Sequence, residues 1–457
     1  MNRVIARAKA TVLLILLLAG GTLFFLAEYF MKSDTWVLSA GSPHIYNATN
    51  IGCGIITDAQ GLLFLNLKDG RTYSESEAVR KATLHWLGDR QGNISAPALS
   101  YYSKQIAGFD PISGVYAYGG TGGQVSLSLS AKVQAAALEA MSDYKGTVAV
   151  YNYKTGEILC AVSTPNYDPD NVPDIAGDTT GAYSGVFLNR FTQSAYTPGS
   201  IFKIVTAAAA LESIPDIQDQ TFTCNGITEY GIDKVTCMEN HGQLSFKDAF
   251  AQSCNCAFAQ IADQLGGKTL QRYAEQFGVT DSISFDGITT AAGKIEAEGQ
   301  AAVSVAWSAI GQHKDLVNPC AFVSFVGAVA NGGVATAPHL VTDITVGGRG
   351  TYRAESVSKG RIMSTETAAT LQAMMRNNVE VKYGAENFPG LTVCAKSGTA
   401  EVGGDKKPNA MFTGFISDEQ YPLAFIAVVE DGGFGRQICV PVLSKVLASC
   451  KSVMDAS

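Results

Sequence analysis

The chain is short of positive charge and of histidine, and each shortage removes a class of function. Lysine and arginine number 33 against 41 acidic residues, for a net charge of −8, and no basic tract follows the N-terminal tip. No nucleic-acid partner is expected, because binding a phosphate backbone needs a concentrated cationic face. The five histidines (His44, His85, His241, His313 and His339) are scattered and form no His-x-x-x-His pair, which argues against a zinc hydrolase. No Walker-type loop or dinucleotide-type glycine fingerprint stands at a strand-to-helix junction, and no cofactor is expected. Charged residues make up only 16% of the 457 and hydrophobic ones 46%, the balance of a two- or three-domain globular protein with one very apolar segment.

That segment is Ala10 to Ala27, which includes Leu13-Leu14-Ile15-Leu16-Leu17-Leu18 and is just long enough to cross a bilayer. Arg3, Arg7 and Lys9 precede it, so the N-terminus is expected in the cytoplasm and the remainder outside the cell membrane. The run is long for a signal-peptide core, and no small-x-small site follows it directly. A single-pass anchor within residues 1–32 is therefore favoured over a cleaved leader. No second span appears later in the chain.

Beyond the anchor, Ile55 to Phe64 reads as a hairpin turning at Asp58 to Gly61, and Ser74 to Leu87 has helical spacing. Gly119-Gly120-Thr121-Gly122-Gly123 is the strongest linker signal, so a small domain is expected over 33–123 and a larger one over 124–457. The larger one opens with a helix, Leu129 to Met141. Two β-rich runs follow, Gly146 to Tyr153 and Glu157 to Val162, around a Thr155-Gly156 turn. Residues 200–385 read as mainly helical, with loops such as Pro215 to Gly242. Strand patterns return at Leu391 to Val402, Met411 to Ser417 and Leu423 to Glu430, before a final helix from about Val440 to Met454. Early strands, a helical insert, late strands and a terminal helix predict an α+β domain around one antiparallel sheet.

Tyr196-Thr-Pro-Gly-Ser200-Ile-Phe-Lys203 runs into the apolar segment Ile201 to Leu211. Pro198-Gly199 breaks the preceding structure, which puts Ser200 at or near a helix N-terminus, with Lys203 one turn on along the same face. A hydroxyl beside an amine at the positive end of a helix suits a nucleophile with its base. A helix cap with a first-turn lysine explains the spacing equally well. Ser142-Asp-Tyr-Lys145 and Ser356-Val-Ser-Lys359 share it, so spacing alone does not select Ser200.

Two downstream clusters do. Ser253-Cys254-Asn255 lies in a helical context, Leu244 to Ala262, and Lys396-Ser397-Gly398-Thr399 opens a late strand. The order Ser-x-x-Lys, Ser-x-Asn, Lys-Ser-Gly-Thr is the motif set of penicillin-binding proteins and class A β-lactamases. The chain resembles a class B (monofunctional) penicillin-binding protein over nearly its whole length. Asn189-Arg190-Phe191, Pro165-Asn166-Tyr167-Asp168-Pro169, Gly311-Gln312 with Asn331-Gly332-Gly333, and Asn409-Ala410 with Phe412-Thr413-Gly414-Phe415 carry the likeness further. Lys154-Thr155-Gly156 matches the third motif more literally than Lys396 does, but it precedes the serine and occupies a hairpin turn. The chain departs from the family pattern at Cys53-Gly54, where Arg-Gly is usual, at Met411, where an aromatic is usual, and at His313.

The resemblance implies a serine transpeptidase/β-lactamase-like fold: a five-stranded antiparallel sheet flanked by helices, a small N-terminal pedestal and one transmembrane helix. It is closest to compact members related to actinobacterial and Firmicute division or elongation enzymes, without C-terminal peptidoglycan-binding (PASTA) repeats. It implies a peptidoglycan D,D-transpeptidase that is acylated by β-lactams and cross-links stem peptides ending in D-Ala-D-Ala. Ser200 would be the nucleophile and Lys203 its base, with Ser253 relaying a proton to the leaving amine and Asn255 holding the substrate amide. Lys396 would supply positive potential, Ser397, Gly398 and Thr399 would bind the terminal carboxylate, and the N–H groups of Ser200 and Thr399 would form the oxyanion hole. A SEDS-type glycosyltransferase is the implied membrane partner. A D,D-carboxypeptidase, a membrane β-lactam receptor and an idle scaffold of the wall machinery are the competing functions. With only about ten residues on the cytoplasmic side, a receptor would have no effector. The intact motifs argue against a scaffold.

Ten cysteines are many for an exported chain. Cys224 and Cys237 bracket the turn-rich loop Asn225 to Thr236 and form the disulfide candidate, with free thiols an equal alternative. A metal site completed by His241 is the least favoured reading, and no metal is counted among the site residues. Cys254 and Cys256 read as packing residues.

Overall fold

Three strands in which every residue is buried, Gly146–Asn152, Asn409–Ile416 and Leu423–Val429, require a sheet covered on both faces. The computed structural model of the protein describes residues 1–37, 45–47, 50–51, 54–67, 71–107, 109–110, 115–116, 122–141, 143–404 and 406–456. Gly119 to Thr121 of the expected linker, Cys53, His44 and Ser142 lie outside them.

The central sheet is antiparallel throughout, in the order Ile158–Thr164, Gly146–Asn152, Leu423–Val429, Asn409–Ile416, Val393–Ala400. Period-two alternation divides its side chains between two cores. Val148, Val150, Phe412 and Phe425 face Val133 and Ala137 of helix Ala131–Met141 and Leu443 and Leu447 of helix Gly435–Met454. Ala149, Tyr151, Ile426 and Val428 belong to the opposite core, with Phe322 and Phe325 of helix Pro319–Ala330 and Val205 and Ala208 of helix Lys203–Ser213. Helix Gly435–Met454 is long and apolar enough for a membrane span, but Cys439, Leu443, Val446 and Leu447 are buried against this sheet. The strand carrying Lys396 is an edge strand, open on one side to the helical half of the molecule.

The expected anchor lies within helix Asn2–Val37, whose Leu13 to Leu18 are all exposed. Such a helix, apolar on every side, buries nothing within the chain and suits lipid. A second sheet has six strands, in the order Arg349–Arg353, Val341–Val346, Gly123–Leu127, Ile55–Thr57, Leu63–Asn66, Thr72–Tyr73. Gly123–Leu127 pairs in parallel with Ile55–Thr57 and antiparallel with Val341–Val346, so residues 341–353 complete a sheet begun before the glycine run. The expected Asp58–Gly61 turn is present, with Asp58 N–H donating to Leu62 O at 2.8 Å and Gly61 N–H to Asp58 O at 3.1 Å.

Side chains fasten this region to the larger part. Arg80 makes a two-pronged contact with Asp168, Nε to Oδ1 at 2.8 Å and Nη2 to Oδ2 at 2.6 Å, the geometry that gives arginine–carboxylate pairs their specificity. Trp86 Nε1 donates to Ala161 O at 2.7 Å, and Tyr102 OH to Asp286 Oδ1 at 2.8 Å.

Candidate active site

Ser200 sits in a short 3-10 turn, Gly199–Phe202, that leads directly into helix Lys203–Ser213. Gly199 allows this entry. Its φ is +55°, and a Cβ there would lie 2.6 Å from Thr399 O, so the turn presses against the Lys396 strand at a spacing only glycine permits. Gly199 N–H also donates to Gly311 O at 2.7 Å, and a Cβ on Gly311 would come within 2.1 Å of Gly199 O. The glycine of the Gly311-Gln312 pair therefore supports the serine turn from behind. Ser200 is half-buried and makes no capping hydrogen bond, so the helix-cap explanation of its position does not hold.

Ser253 and Asn255 approach from the helical side. The sequence suggests one helical stretch from Leu244 to Ala262. The structure instead has strand Gly242–Ser245, helix Phe246–Ala251 and helix Asn255–Gln276, with the motif at the joint. Ser253 adopts φ +55°, and Cys254 is extended and caps the second helix, its Sγ accepting from Ala257 N–H at 3.4 Å. Ser253 N–H donates to Phe250 O at 3.2 Å and Cys254 N–H to Ala249 O at 3.0 Å, so the left-handed residue closes helix Phe246–Ala251 as a C-terminal cap. The break turns Ser253 and Asn255 towards the serine rather than around a helix barrel.

Lys203 Nζ is the centre of the arrangement. It lies 3.1 Å from Ser200 Oγ, 3.2 Å from Ser253 Oγ, 2.7 Å from Ser253 O and 2.7 Å from Asn255 Oδ1. Lys396 Nζ reaches the same serine from the strand side, 2.9 Å from Ser253 Oγ and 3.0 Å from Ser397 O. Both lysines are fully buried, and every one of these partners is a neutral oxygen. Phe258 and Phe250 lie 5.5 Å and 5.9 Å from the two ammonium groups. Burial penalises the charged form and lowers the Lys203 pKa to about 8. Lys396 is pushed well below its ordinary value by burial and then by the neighbouring Lys203. An amine with a lowered pKa in hydrogen-bond reach of a hydroxyl is equipped to take its proton.

The strand wall is set by register. Lys396 pairs with Thr413, Ser397 with Phe412, Gly398 with Met411 and Thr399 with Ala410, which buries Lys396 and leaves Ser397 and Thr399 half-exposed towards the cleft. Gly398 faces Pro198 and Ile201, where a Cβ would meet Pro198 O at 3.0 Å. The cleft, a cavity of about 410 Å³, is lined by Ser200, Ser253, Asn255, Ser397 and Thr399, together with Trp307, Lys382 and Arg436. These last three were not anticipated, nor was Tyr383, whose hydroxyl accepts from Ser397 N–H at 2.8 Å and lies 3.0 Å from Ser397 Oγ. They come from segments without a motif, and nothing in their local sequence points to the cleft.

The outlying patterns resolve as structure. Arg190 of Asn189-Arg190-Phe191 is buried and pairs with Glu430 at 2.8 Å, Tyr196 OH donates to the same carboxylate at 3.0 Å, and Lys145 Nζ lies 3.1 Å from it. Ser356 Oγ donates to Lys154 O at 2.8 Å, and Lys154 sits in the hairpin turn with its Nζ 2.7 Å from Asn331 Oδ1. Neither of these two alternatives approaches the cleft lining.

Of the two alternatives for Cys224 and Cys237, the structure has the free thiols and no disulfide. Both are free thiols, as are the other cysteines among the described residues. Each places its Sγ 3.5 Å from His241 Nδ1, and Cys237 Sγ lies 3.9 Å from Cys254 Sγ. An imidazole and a third thiol share the space that a direct S–S bond would close. The loop Pro215 to Gly242 is itself ordered into strands: Thr221–Cys224 pairs with Gly242–Ser245, and Ile227–Tyr230 with Asp233–Thr236.

The family described as the penicillin binding protein transpeptidase domain matches residues 146–448. Peptidoglycan D,D-transpeptidase PbpA of Mycolicibacterium smegmatis is 29% identical over 340 residues, covering 68% of each chain. Stage V sporulation protein D of Bacillus subtilis is 28% identical over 413 residues, 85% of this chain and 60% of that one. Among solved structures, a D,D-transpeptidase domain from Eggerthella lenta superposes with a TM-score of 0.76 at 25% identity, covering 88% of this chain and 98% of the other. Penicillin-binding protein A of M. tuberculosis, solved as a β-lactam acyl-enzyme, has the same fold, with a TM-score of 0.75 at 24% identity over 87% of this chain and 98% of that one. With the matched domain spanning most of the chain and the three motifs meeting in one cleft, the protein belongs to the class B penicillin-binding protein transpeptidases.

Proposed function

We infer that the protein is a membrane-anchored peptidoglycan D,D-transpeptidase that forms an acyl-enzyme at Ser200 and is acylated there by β-lactams. The observation that carries this reading is the position of Lys203 Nζ, 3.1 Å from Ser200 Oγ and 3.2 Å from Ser253 Oγ, with Lys396 beyond Ser253. Ser200 Oγ attacks the carbonyl of the penultimate D-alanine while its proton passes to Lys203. Ser253, between the two lysines, delivers a proton to the departing D-alanine amine, and the C–N bond breaks. Asn255 holds Lys203 through Oδ1 and hydrogen-bonds the substrate amide. Lys396 keeps the strand end electropositive, so that Ser397 and Thr399 bind the terminal carboxylate beside Gly398. The N–H groups of Ser200 and Thr399 receive the oxyanion, each donor contributing about 3 kcal/mol to the transition state. The amine of a neighbouring stem peptide then takes the acyl group, which cross-links the wall.

The anchor orientation, with Arg3, Arg7 and Lys9 in the cytoplasm and the catalytic domain outside, follows the distribution of charge around the apolar run. We assign residues 1–32 as tip and anchor, 33–123 as pedestal and 124–457 as the catalytic portion, which lends residues 124–127 and 341–353 to the pedestal sheet. The exposed apolar anchor and the pedestal together offer the surface for a SEDS-type glycosyltransferase. Labelling with a fluorescent penicillin tests the assignment: the full chain should label covalently and Ser200→Ala should not. Labelling of the alanine variant, or none of the wild type, would remove Ser200 from its role.

A further inference from the structure

Behind the Ser253-Cys254-Asn255 joint, four side chains from four separate segments converge. Cys224 ends strand Thr221–Cys224, Cys237 follows strand Asp233–Thr236, His241 precedes strand Gly242–Ser245, and Cys254 caps helix Asn255–Gln276. Their ligating atoms all lie within 4.8 Å of one another, the one group of metal-binding side chains of this kind among the described residues. We propose that Cys224, Cys237, His241 and Cys254 bind one zinc ion as a structural Cys3His site that holds the Ser-x-Asn segment in its catalytic position.

The geometry agrees with that ion. Zinc–sulfur bonds of about 2.3 Å and zinc–nitrogen bonds of about 2.0–2.1 Å in a tetrahedron place two sulfurs roughly 3.8 Å apart and a sulfur and nitrogen roughly 3.6 Å apart. The Cys237–Cys254 separation is 3.9 Å and both thiol–imidazole separations are 3.5 Å. Three thiolates and an imidazole are a donor set that suits zinc in tetrahedral coordination and leaves no position open for water, which marks a structural rather than a Lewis-acid role. Cys254 is held in place as the cap of its helix, its Sγ accepting from Ala257 N–H at 3.4 Å. Cys256, two residues on, lies outside the group.

Zinc here would reach the catalytic residues through one covalent step. Cys254 is the central residue of the motif, between Ser253, whose Oγ contacts both lysines, and Asn255, whose Oδ1 contacts Lys203. Asn255 Nδ2 also donates to Thr236 O, the residue before Cys237, at 2.9 Å. The backbone of Cys237 is tied in turn to Gly226, its N–H donating to Gly226 O at 2.8 Å. The ion would therefore bind the loop 224–241 and the helix joint into one unit, and so fix the direction in which the left-handed Ser253 leaves helix Phe246–Ala251. Cys237 and His241 line the cleft itself, so the cluster is part of its wall. Metal binding does not depend on the reading of the cleft as a transpeptidase site; the positioning role does.

The test uses the full-length protein purified in detergent. Metal analysis should find about one zinc per chain, and cobalt(II) exchange should give the intense visible bands and the thiolate-to-metal charge transfer of a tetrahedral sulfur-rich site. Cys224→Ser and His241→Ala should lose the metal, and Cys439→Ala, which alters a core thiol on the far side of the central sheet, should keep it. Removal by chelation should lower the melting temperature and slow penicillin acylation by about tenfold, with recovery on adding zinc(II) but not magnesium(II). Absence of bound metal together with a Cys224–Cys237 or Cys237–Cys254 disulfide would overturn the site, as would full metal content in both ligand variants. Bound zinc whose removal leaves acylation unchanged would overturn the positioning role. A chain that binds zinc but never labels with penicillin would instead count against the transpeptidase reading and leave the metal site standing.

Discussion

The two walls of the cleft are built by different means. Lys396 to Thr399 stand on a strand whose eight residues are each registered against the neighbouring strand. Ser253 to Asn255 stand on a joint between two helices, where one residue is left-handed, a few backbone bonds close the helix ends and side chains make the contacts to the lysines. A ladder positions residues through many weak and mutually supporting bonds, so losing one side chain disturbs it little. A joint depends on a few contacts, each of which carries more of the geometry. The strand wall should therefore resist side-chain substitution and yield to backbone crowding, and the joint should do the reverse.

The largest effect is expected where the joint meets the nucleophile. Lys203→Met should slow penicillin acylation by at least about 10⁴-fold, measured by single-turnover labelling, since groups that act as a unit lose most of their catalysis together. The same variant should melt higher than wild type, because a fully buried ammonium is replaced by a side chain without a desolvation cost. Lower melting together with lost acylation would indicate that the lysine holds the fold and not the chemistry.

Asn255→Ala removes the contacts to Lys203 Nζ and Thr236 O. Acylation should fall by roughly 10- to 100-fold, the equivalent of one or two buried hydrogen bonds of about 1–3 kcal/mol. An equal loss from Ser397→Ala, on the strand wall, would erase the distinction between the walls.

The pH dependence sharpens it from the joint side. With the Lys203 pKa lowered to about 8, acylation should rise roughly fivefold between pH 7 and pH 8 and level off above, as the free amine accumulates. Stability has the same sign over a different window. Between about pH 8 and the ordinary lysine value of 10.5, the unfolded chain binds the proton that the folded chain has lost, so this residue's contribution to stability rises with pH there. A rate that is flat from pH 6 to pH 9 would sink the role of Lys203 as base.

The smallest change in rate is expected from the strand wall. Gly435 lies against it, and a Cβ at that position would come within 2.2 Å of both Gly398 O and Met411 O. Gly435→Ala should cost about 1–3 kcal/mol of stability through backbone displacement, visible as a lower melting temperature, with only a few-fold slower acylation. A drop in acylation as large as that of Lys203→Met would show that the strand wall has no such tolerance.

Much of this was legible from local patterns. The Asp58–Gly61 turn, the paired strands around Thr155-Gly156 and the three late strands carry their signals in consecutive residues, because period-two burial and turn chemistry are local properties. Ser200 and Lys203 are three residues apart, so a helical turn is enough to bring them together. The Ser-x-Asn segment reads as helical because alanine, phenylalanine and cysteine around it fit helical spacing, and nothing in Gln252-Ser253-Cys254 announces a left-handed residue. The partners Ser253 meets after the break, Lys203 and Lys396, are 50 and 143 residues away.

The cysteines draw the boundary most clearly. The loop Asn225 to Thr236 brings Cys224 and Cys237 near each other and leaves a disulfide and free thiols equally open, because proximity along the chain does not count the other atoms present. Whether two thiols meet alone or in the company of His241 and Cys254 depends on two hairpins folding back onto a helix terminus, and no local pattern carries that information. What the order of residues decided unaided was the chemistry on offer: a serine, two lysines and a Lys-Ser-Gly-Thr strand end in a recognisable succession, behind one apolar segment. What folding added was the environment. Full burial of Lys203 and Lys396 among neutral oxygens, the meeting of Ser253 with both lysines and the assembly of a Cys3His cluster behind it all arise from long-range packing, because desolvation and coordination depend on every neighbour at once and not on any single segment.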